Sequence, residues 1–225
     1  MSRITKLIHW IAHHERIVLA GWLVIVTAAW GFIEVTMMVS RGSMQAFDDQ
    51  VMRAMRRADD PAVAIGPVAL TQFARDITAL GSYSTLILVV LISVLFLSAA
   101  RQRVALRTLA GASASGYLAM LVLKSVFQRP RPDVVPHLID SHSTSFPSGH
   151  AMMSAVIYVT LAFQLLSVIK HWRVRLAIML TAILLTTLIG MSRIFLGVHF
   201  PTDVLAGWTA GLVWSLLWVL LSRRS

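Results

Sequence analysis

Apolar residues run along this chain in blocks, separated by short polar or basic stretches. Five blocks approach the ~20 residues that a membrane-crossing helix needs: Ile17–Val39, Thr85–Ala99, Leu106–Val122, Ala151–Ile169 and Leu176–Met191. A sixth, Val204–Leu221, closes the sequence. Several are short on their own, so weakly polar neighbours are expected to extend them. The first block follows a basic, mildly amphipathic start, MSRITKLIHWIAHHER. It is longer than a typical signal-peptide core and no convincing small-residue cleavage site accompanies it, so it reads as a retained span.

Between the first and second blocks the pattern changes. At 100° per residue, Met44, Phe47, Val51, Met55 and Ala58 share one helical face, and Arg53, Arg56 and Arg57 share the other. Such a helix suits the membrane interface; the alternative is a water-facing helix packed on the bundle. Pro61 and Pro67 interrupt the next stretch. Ala69–Leu80 is expected as another short helix, with Gly81 as its stop. The expected fold is all-α: a six-span transmembrane helical bundle with an interfacial amphipathic helix after the first span, one domain over residues 1–225.

Composition agrees with that solvent. The 225 residues are 57% hydrophobic and 13% charged, about half the charged fraction of a soluble domain. There is no cysteine, which excludes disulfides, thiolate metal sites and a cysteine nucleophile. A net charge of +10 could suggest nucleic acid. No zinc-ligand spacing, RNA-binding signature or basic block supports that partner, and the loops account for the charge through the positive-inside rule. With the N-terminus inside, Arg3, Lys6 and Arg16, then Arg101, Arg103 and Arg107, then Lys170, Arg173 and Arg175, and finally Arg223 and Arg224 all fall on the cytoplasmic side of a cell membrane. Both termini are then cytoplasmic.

Three polar clusters remain, all on the outer face of that topology. KSVFQRPRP carries Lys124 at a span end and Arg131 in a proline-stiffened loop. Two such cations can clamp phosphate oxygens, the arginine as a planar fork, or can simply meet lipid headgroups. FPSGH leads into the fourth span. Ser148 fits a helix start, Gly149 lets an anion approach the backbone, and the helix dipole there favours phosphate. His150 beside it can exchange a proton near neutral pH; an ordinary capped helix is the plainer reading. SRIFLGVHFPTD supplies Arg193, and His199 and Asp203 one helical turn apart. Pro201 favours a helix start between them. Asp203 could accept from one ring nitrogen of His199 and leave the other free to attack, or the pair could be structural. Three cations, two histidines and an aspartate on one predicted face, at membrane depth where charge is costly, add up to a site for a tetrahedral anion with a nucleophile and an acid. No carboxylate cluster for a divalent metal is evident, and no cofactor is expected.

With those residues in place the chain resembles the type 2 phosphatidic acid phosphatase superfamily, whose pattern is K-x6-RP, PSGH and SR-x5-H-x3-D. Lys124, Arg131 and Pro132, then Pro147 to His150, then Ser192, Arg193, His199 and Asp203 match it without departure. The resemblance covers the motif core 124–203 directly, and DITALG at Asp76–Gly81 adds a weaker likeness to bacterial members. It implies a lipid phosphate or diphosphate phosphatase. His199 would form a phosphohistidine, Asp203 would support it, and His150 would protonate the leaving oxygen. Lys124, Arg131, Arg193 and the Ser148–Gly149 backbone would hold the phosphoryl group. Undecaprenyl diphosphate, phosphatidic acid and phosphatidylglycerophosphate are the substrates it suggests. The rival readings are a lipid phosphotransferase, a vanadate-dependent haloperoxidase and a non-catalytic lipid-phosphate binder. Outside the motifs, Glu34 near the outer end of the first span is either functional or interfacial. His9, His13 and His14 read as a headgroup-facing basic end, and His137 and His142 as candidates for the site entrance.

Overall fold

Helices dominate a chain whose backbone amides must be satisfied locally in lipid. The computed structural model describes residues 3–141 and 143–222, with side chains from residue 18 onward. Its helices are α1 (Arg3–Ser40), α2 (Gln45–Ala54), α3 (Val68–Ala79), α4 (Tyr83–Ala99), α5 (Arg103–Phe127), α6 (Gly149–Ser154), α7 (Thr160–Val168), α8 (Trp172–Phe195) and α9 (Pro201–Ser222). A π-helical turn, Ala155–Val159, joins α6 to α7 in one rod. Extended pairing among the described residues is one isolated bridge, Arg56 to Ala64.

Five helical stretches are long and apolar enough to cross a membrane: Val18–Ser40, Arg103–Phe127, Gly149–Val168, Trp172–Phe195 and Pro201–Ser222. The sequence expected a sixth at Thr85–Ala99. There α4 has 17 residues and rises about 25 Å, short of a hydrocarbon core of about 30 Å. It qualifies only together with α3, across a 45° bend. Leu19, Leu23, Val26 and Trp30 on α1, Ile87, Leu91 and Leu95 on α4, and Leu118 and Val122 on α5 stand exposed. An apolar surface this extensive belongs against lipid.

Helix α9 lies at the centre, against α1, α5, α6 and α8. Gly207 and Gly211 form a small-xxx-small pair on its α6 side. A Cβ at Gly207 would sit 2.7 Å from the Ser148 carbonyl oxygen, and one at Gly211 2.5 Å from that of Met152. Elsewhere glycines admit tryptophans: Trp208 lies against Gly190, and Trp214 against Gly116. Their indole N–H groups find acceptors, Trp208 on the Thr186 carbonyl at 3.0 Å, and Trp214 and Trp218 on Ser115 Oγ at 2.9 and 3.0 Å. The tryptophans of α9 thus serve packing rather than an interfacial belt.

One expectation needs correction. Helix α2 ends at Ala54, so the periodicity assigned up to Ala58 runs past it. Arg56 sits instead in the bridge with Ala64 and is 5% exposed. It donates to the carbonyls of Phe195 at 2.9 Å and Pro136 at 3.1 Å, pinning two loops. Within α2 the buried residues are Asp48 and Met52, while Phe47 is largely exposed. The expected short helix at Ala69–Leu80 is α3, and Gly81 lies in the break after it, where a Cβ would meet the His150 ring at 3.2 Å. The side chains of Arg3, Lys6, His9, His13, His14 and Arg16, and residues His142, Arg223 and Arg224, lie outside the described part.

Candidate active site

The polar clusters meet at one end of the bundle. Lys124, in the last turn of α5, is 8% exposed and donates through Nζ to the Thr144 carbonyl. The helix stops at Gln128 in a left-handed conformation, φ 42°. Arg131 follows and spans two loops. Its Nε donates to the Ser143 carbonyl at 2.6 Å and its Nη1 to the Val198 carbonyl at 2.5 Å. The same Nη1 lies 3.3 Å from His199 Nε2.

The start of α6 is held from two sides. Ser148 caps it, its Oγ accepting from Ala151 N–H at 3.5 Å, and Ser148 N–H donates to the Asp203 carbonyl at 3.0 Å. Gly149 is buried, and a Cβ there would lie 2.6 Å from the Tyr83 hydroxyl. The half-buried ring of His150 lies 6.2 Å from the Tyr83 ring, centroid to centroid. Arg193, in the last turn of α8, is 4% exposed. It donates from Nη1 to Thr78 Oγ1 at 3.0 Å, and its buried Nε has no partner among the described residues.

Gly197, at φ +84°, turns the chain out of α8 as only glycine does easily. His199 follows, fully buried, and Pro201 opens α9, placing Asp203 in its first turn. His199 Nδ1 lies 3.5 Å from Asp203 Oδ2. Ser145 is wedged beside this contact: its Oγ donates to Asp203 Oδ2 and lies 3.4 Å from Nδ1. One ring nitrogen therefore faces a carboxylate and a hydroxyl, and the other faces Arg131. Burial lowers the His199 pKa from 6.5 to about 3, Asp203 opposing the shift and Arg131 and Arg193 reinforcing it. At neutral pH the imidazole is uncharged. Burial also lowers the Arg131 pKa, yet a guanidinium keeps its charge at any ordinary pH. An uncharged imidazole beside fixed cations can attack a tetrahedral anion that those cations bind.

All eight residues singled out from the sequence, Lys124, Arg131, Ser148, Gly149, His150, Arg193, His199 and Asp203, lie at this end. Sequence reasoning missed four others: Arg129, Asp48, Thr202 and Ser145. Arg129 donates to Asp203 Oδ1 at 2.7 Å and to Asp48 Oδ2 at 2.9 Å. Thr202 bonds both Arg129 and Asp48, and Ser145 touches both members of the His199–Asp203 pair. A signal existed for Asp48, which shares the apolar face of α2 with Met44, Val51, Met52 and Met55. An acid on such a face calls for a buried cation. His137 braces its own loop, Nε2 lying 2.6 Å from the Pro132 carbonyl. Glu34 is half-buried and takes part in no ion pair among the described residues.

Fold and site together define a helical membrane protein with a cation-lined polar centre at one end. A model of the PAP2 superfamily matches residues 105–225, and the chain belongs to that superfamily. Phosphatidylglycerophosphatase B of Bacillus subtilis (strain 168) is 42% identical over 96 residues, which are 41% of this chain and 45% of that protein. Lipid A 1-phosphatase of Rhizobium johnstonii is 37% identical over 119 residues, 49% of this chain and 44% of its own. The chain therefore spans less than half the length of these curated relatives. The crystal structure of a transmembrane PAP2 type phosphatidylglycerolphosphate phosphatase from Bacillus subtilis superposes with a TM-score of 0.79 at 28% identity, covering 89% of this chain and 96% of that one. Aquifex aeolicus LpxE superposes at 0.56 with 27% identity, covering 76% and 92%.

Proposed function

We propose that this protein is a metal-independent lipid phosphate phosphatase working through a phosphohistidine. The observation that carries the reading is the placement of Arg131 Nη1 3.3 Å from His199 Nε2, the ring nitrogen not engaged by Asp203. A phosphoryl oxygen bound by that guanidinium brings phosphorus to the attacking atom. Attack forms the N–P bond as the P–O bond to the lipid breaks, and His150 gives its proton to the departing oxygen. Water then adds to phosphorus, losing a proton to His150, and the N–P bond breaks to release phosphate. Asp203 stabilises the imidazolium character that develops on His199. Lys124, Arg131, Arg193 and the amides at the start of α6 neutralise the phosphoryl oxygens, a task that divalent ions perform elsewhere. The unpartnered, buried Nε of Arg193 supports this, since such a donor is costly unless an acceptor arrives.

The substrate is a membrane lipid phosphate or diphosphate. Phosphatidylglycerophosphate and lipid A 1-phosphate, for which relatives are named, and the undecaprenyl diphosphate and phosphatidic acid suggested by the sequence form the panel to test. We read one domain of six spans, with the bent α3–α4 pair as the second and α2 at the interface; an even count leaves both termini on one side, and the basic loops make that side the cytoplasm and leave the site on the outer face of the cell membrane. Purified protein should release phosphate from at least one lipid in the panel, in EDTA as well as without it, and vanadate should inhibit. His199→Ala should abolish release while the protein still inserts. Full turnover by folded His199→Ala, or an absolute requirement for Mg²⁺, would overturn the mechanism.

A further inference from the structure

Asp203 is held by both of its oxygens. Oδ2 accepts from Phe200 N–H at 2.9 Å and from Ser145, and faces His199. Oδ1 accepts from Arg129 Nη1 at 2.7 Å. A carboxylate fixed at both ends cannot turn, so Arg129 sets the angle at which Oδ2 meets the imidazole. Arg129 is itself fixed. Its side chain is 11% exposed and its guanidinium lies 4.2 Å over the Phe200 ring. Nη2 donates to Asp48 Oδ2 at 2.9 Å and to Gln45 Oε1 at 3.2 Å, both on α2. Asp48 is wholly buried and also binds Thr202, through the backbone N–H at 3.1 Å and the hydroxyl at 2.5 Å. It thereby holds the first turn of α9 as well as the cation.

The charges matter as much as the angles. Lys124 from α5, Arg131 from the following loop and Arg193 from α8 face the His199–Asp203 pair, with His150 from α6. Arg129 adds a further cation. Among these groups Asp48 is the single anion other than Asp203. Without it, Arg129 would offset Asp203 and leave the imidazole no net negative partner. Without Arg129, two buried carboxylates would repel each other.

We infer that Asp48 and Arg129 are positioning residues that set both the orientation and the effective charge of Asp203 against His199. The inference rests on the assignment of His199 and Asp203 proposed above. Neither residue needs to touch the phosphoryl group.

Asp48→Asn keeps an acceptor for Thr202 N–H but removes the anion, so it makes the field at His199 more positive. Arg129→Gln does the opposite. The acid limb of kcat should move to lower pH in Asp48→Asn and to higher pH in Arg129→Gln. In both, kcat should fall ~10–100-fold, the range found when groups that orient a metal-bound histidine are lost, with KM changed much less. Arg129→Lys keeps the charge but cannot reach both carboxylates, so it should return the limb towards the parent position without restoring kcat. The same signs should appear in the His199 titration followed by ¹⁵N NMR of histidine-labelled protein in micelles. Limbs and titrations that stay put, or that move in the same direction in both variants, would reduce Asp48 and Arg129 to structural residues and overturn the inference. If Arg129→Gln does not yield a monodisperse protein, Asp48→Asn and Arg129→Lys decide alone. A parent that releases phosphate from no lipid in the panel would sink the phosphatase reading instead, and the NMR titration, which needs no turnover, would still decide this one.

Discussion

His199 sits where its own protonation is penalised, and that has a measurable sign. Its folded pKa, about 3, lies below its ordinary value of 6.5. The unfolded chain therefore binds a proton that the folded one refuses. Stability from this residue is fully present above about pH 6.5 and is lost as pH falls towards 3. Between pH 7 and 4 the parent should lose more thermal stability than His199→Gln, read as the change in Tm in one detergent. Equal pH slopes in the two proteins would contradict a buried neutral imidazole. At this scale the sequence was most legible where chemistry is local. His199 and Asp203, four apart, and Ser148 to His150, consecutive, announce themselves by spacing. Asp48 and Arg129 do not, because their contact joins positions 81 residues apart and each alone passes for a surface charge.

Among the elements, the contact between α6 and α9 governs whether the two halves of the site meet. Ser148 and His150 ride on one helix start and Asp203 on the other, and Gly207 lets the backbones touch. Gly207→Ala would press a methyl group onto the Ser148 carbonyl at 2.7 Å and onto Ala151 Cβ at 2.9 Å. Backbone cannot yield as a flexible side chain does, so the change should cost about 1–3 kcal/mol of stability and reduce kcat by parting the helix starts. Gly31→Ala is the control: its Cβ would find Thr209 Cγ2 at 3.8 Å, ordinary contact, and Tm and kcat should hold. A Gly207→Ala variant with parental Tm and kcat would show that the seam has slack. Long apolar runs located the spanning helices, because lipid rewards them, and hydrophobic periodicity located α2. It failed at the end of α2, since a period says nothing beyond the residue where the helix stops, and Arg56 lies past that point. It also could not reveal the 45° bend between α3 and α4, because Gly81 at that break packs against Ile189 and His150, which are distant in sequence.

Over the whole molecule, the polar end and the opposite end differ in what they display. Arg101 lies between α4 and α5 and Arg103 opens α5, while Lys170 lies between α7 and α8 and Arg173 and Arg175 stand in the first turn of α8, at the ends of these helices away from the site. The absence of cysteine makes sidedness directly readable. In intact cells a membrane-impermeant thiol reagent should label a cysteine placed at Ser141, and should reach one at Gln102 only after the membrane is opened. Reversed labelling would move the reaction to the cytoplasmic face, and labelling of both in sealed cells would break the six-span count.

The bond between Asp48 and Arg129 also sets a rule for transplantation. The recognisable PAP2 segment begins at residue 105, yet a carboxylate that Arg129 depends on arrives from residue 48, in a stretch that carries no motif. A chimera that grafts residues 105–225 onto a foreign N-terminal half would import the cation and leave its anion behind. Such a graft should regain function when an acid is restored at the position facing Arg129, and a donor half that already carries one should be accepted from the outset.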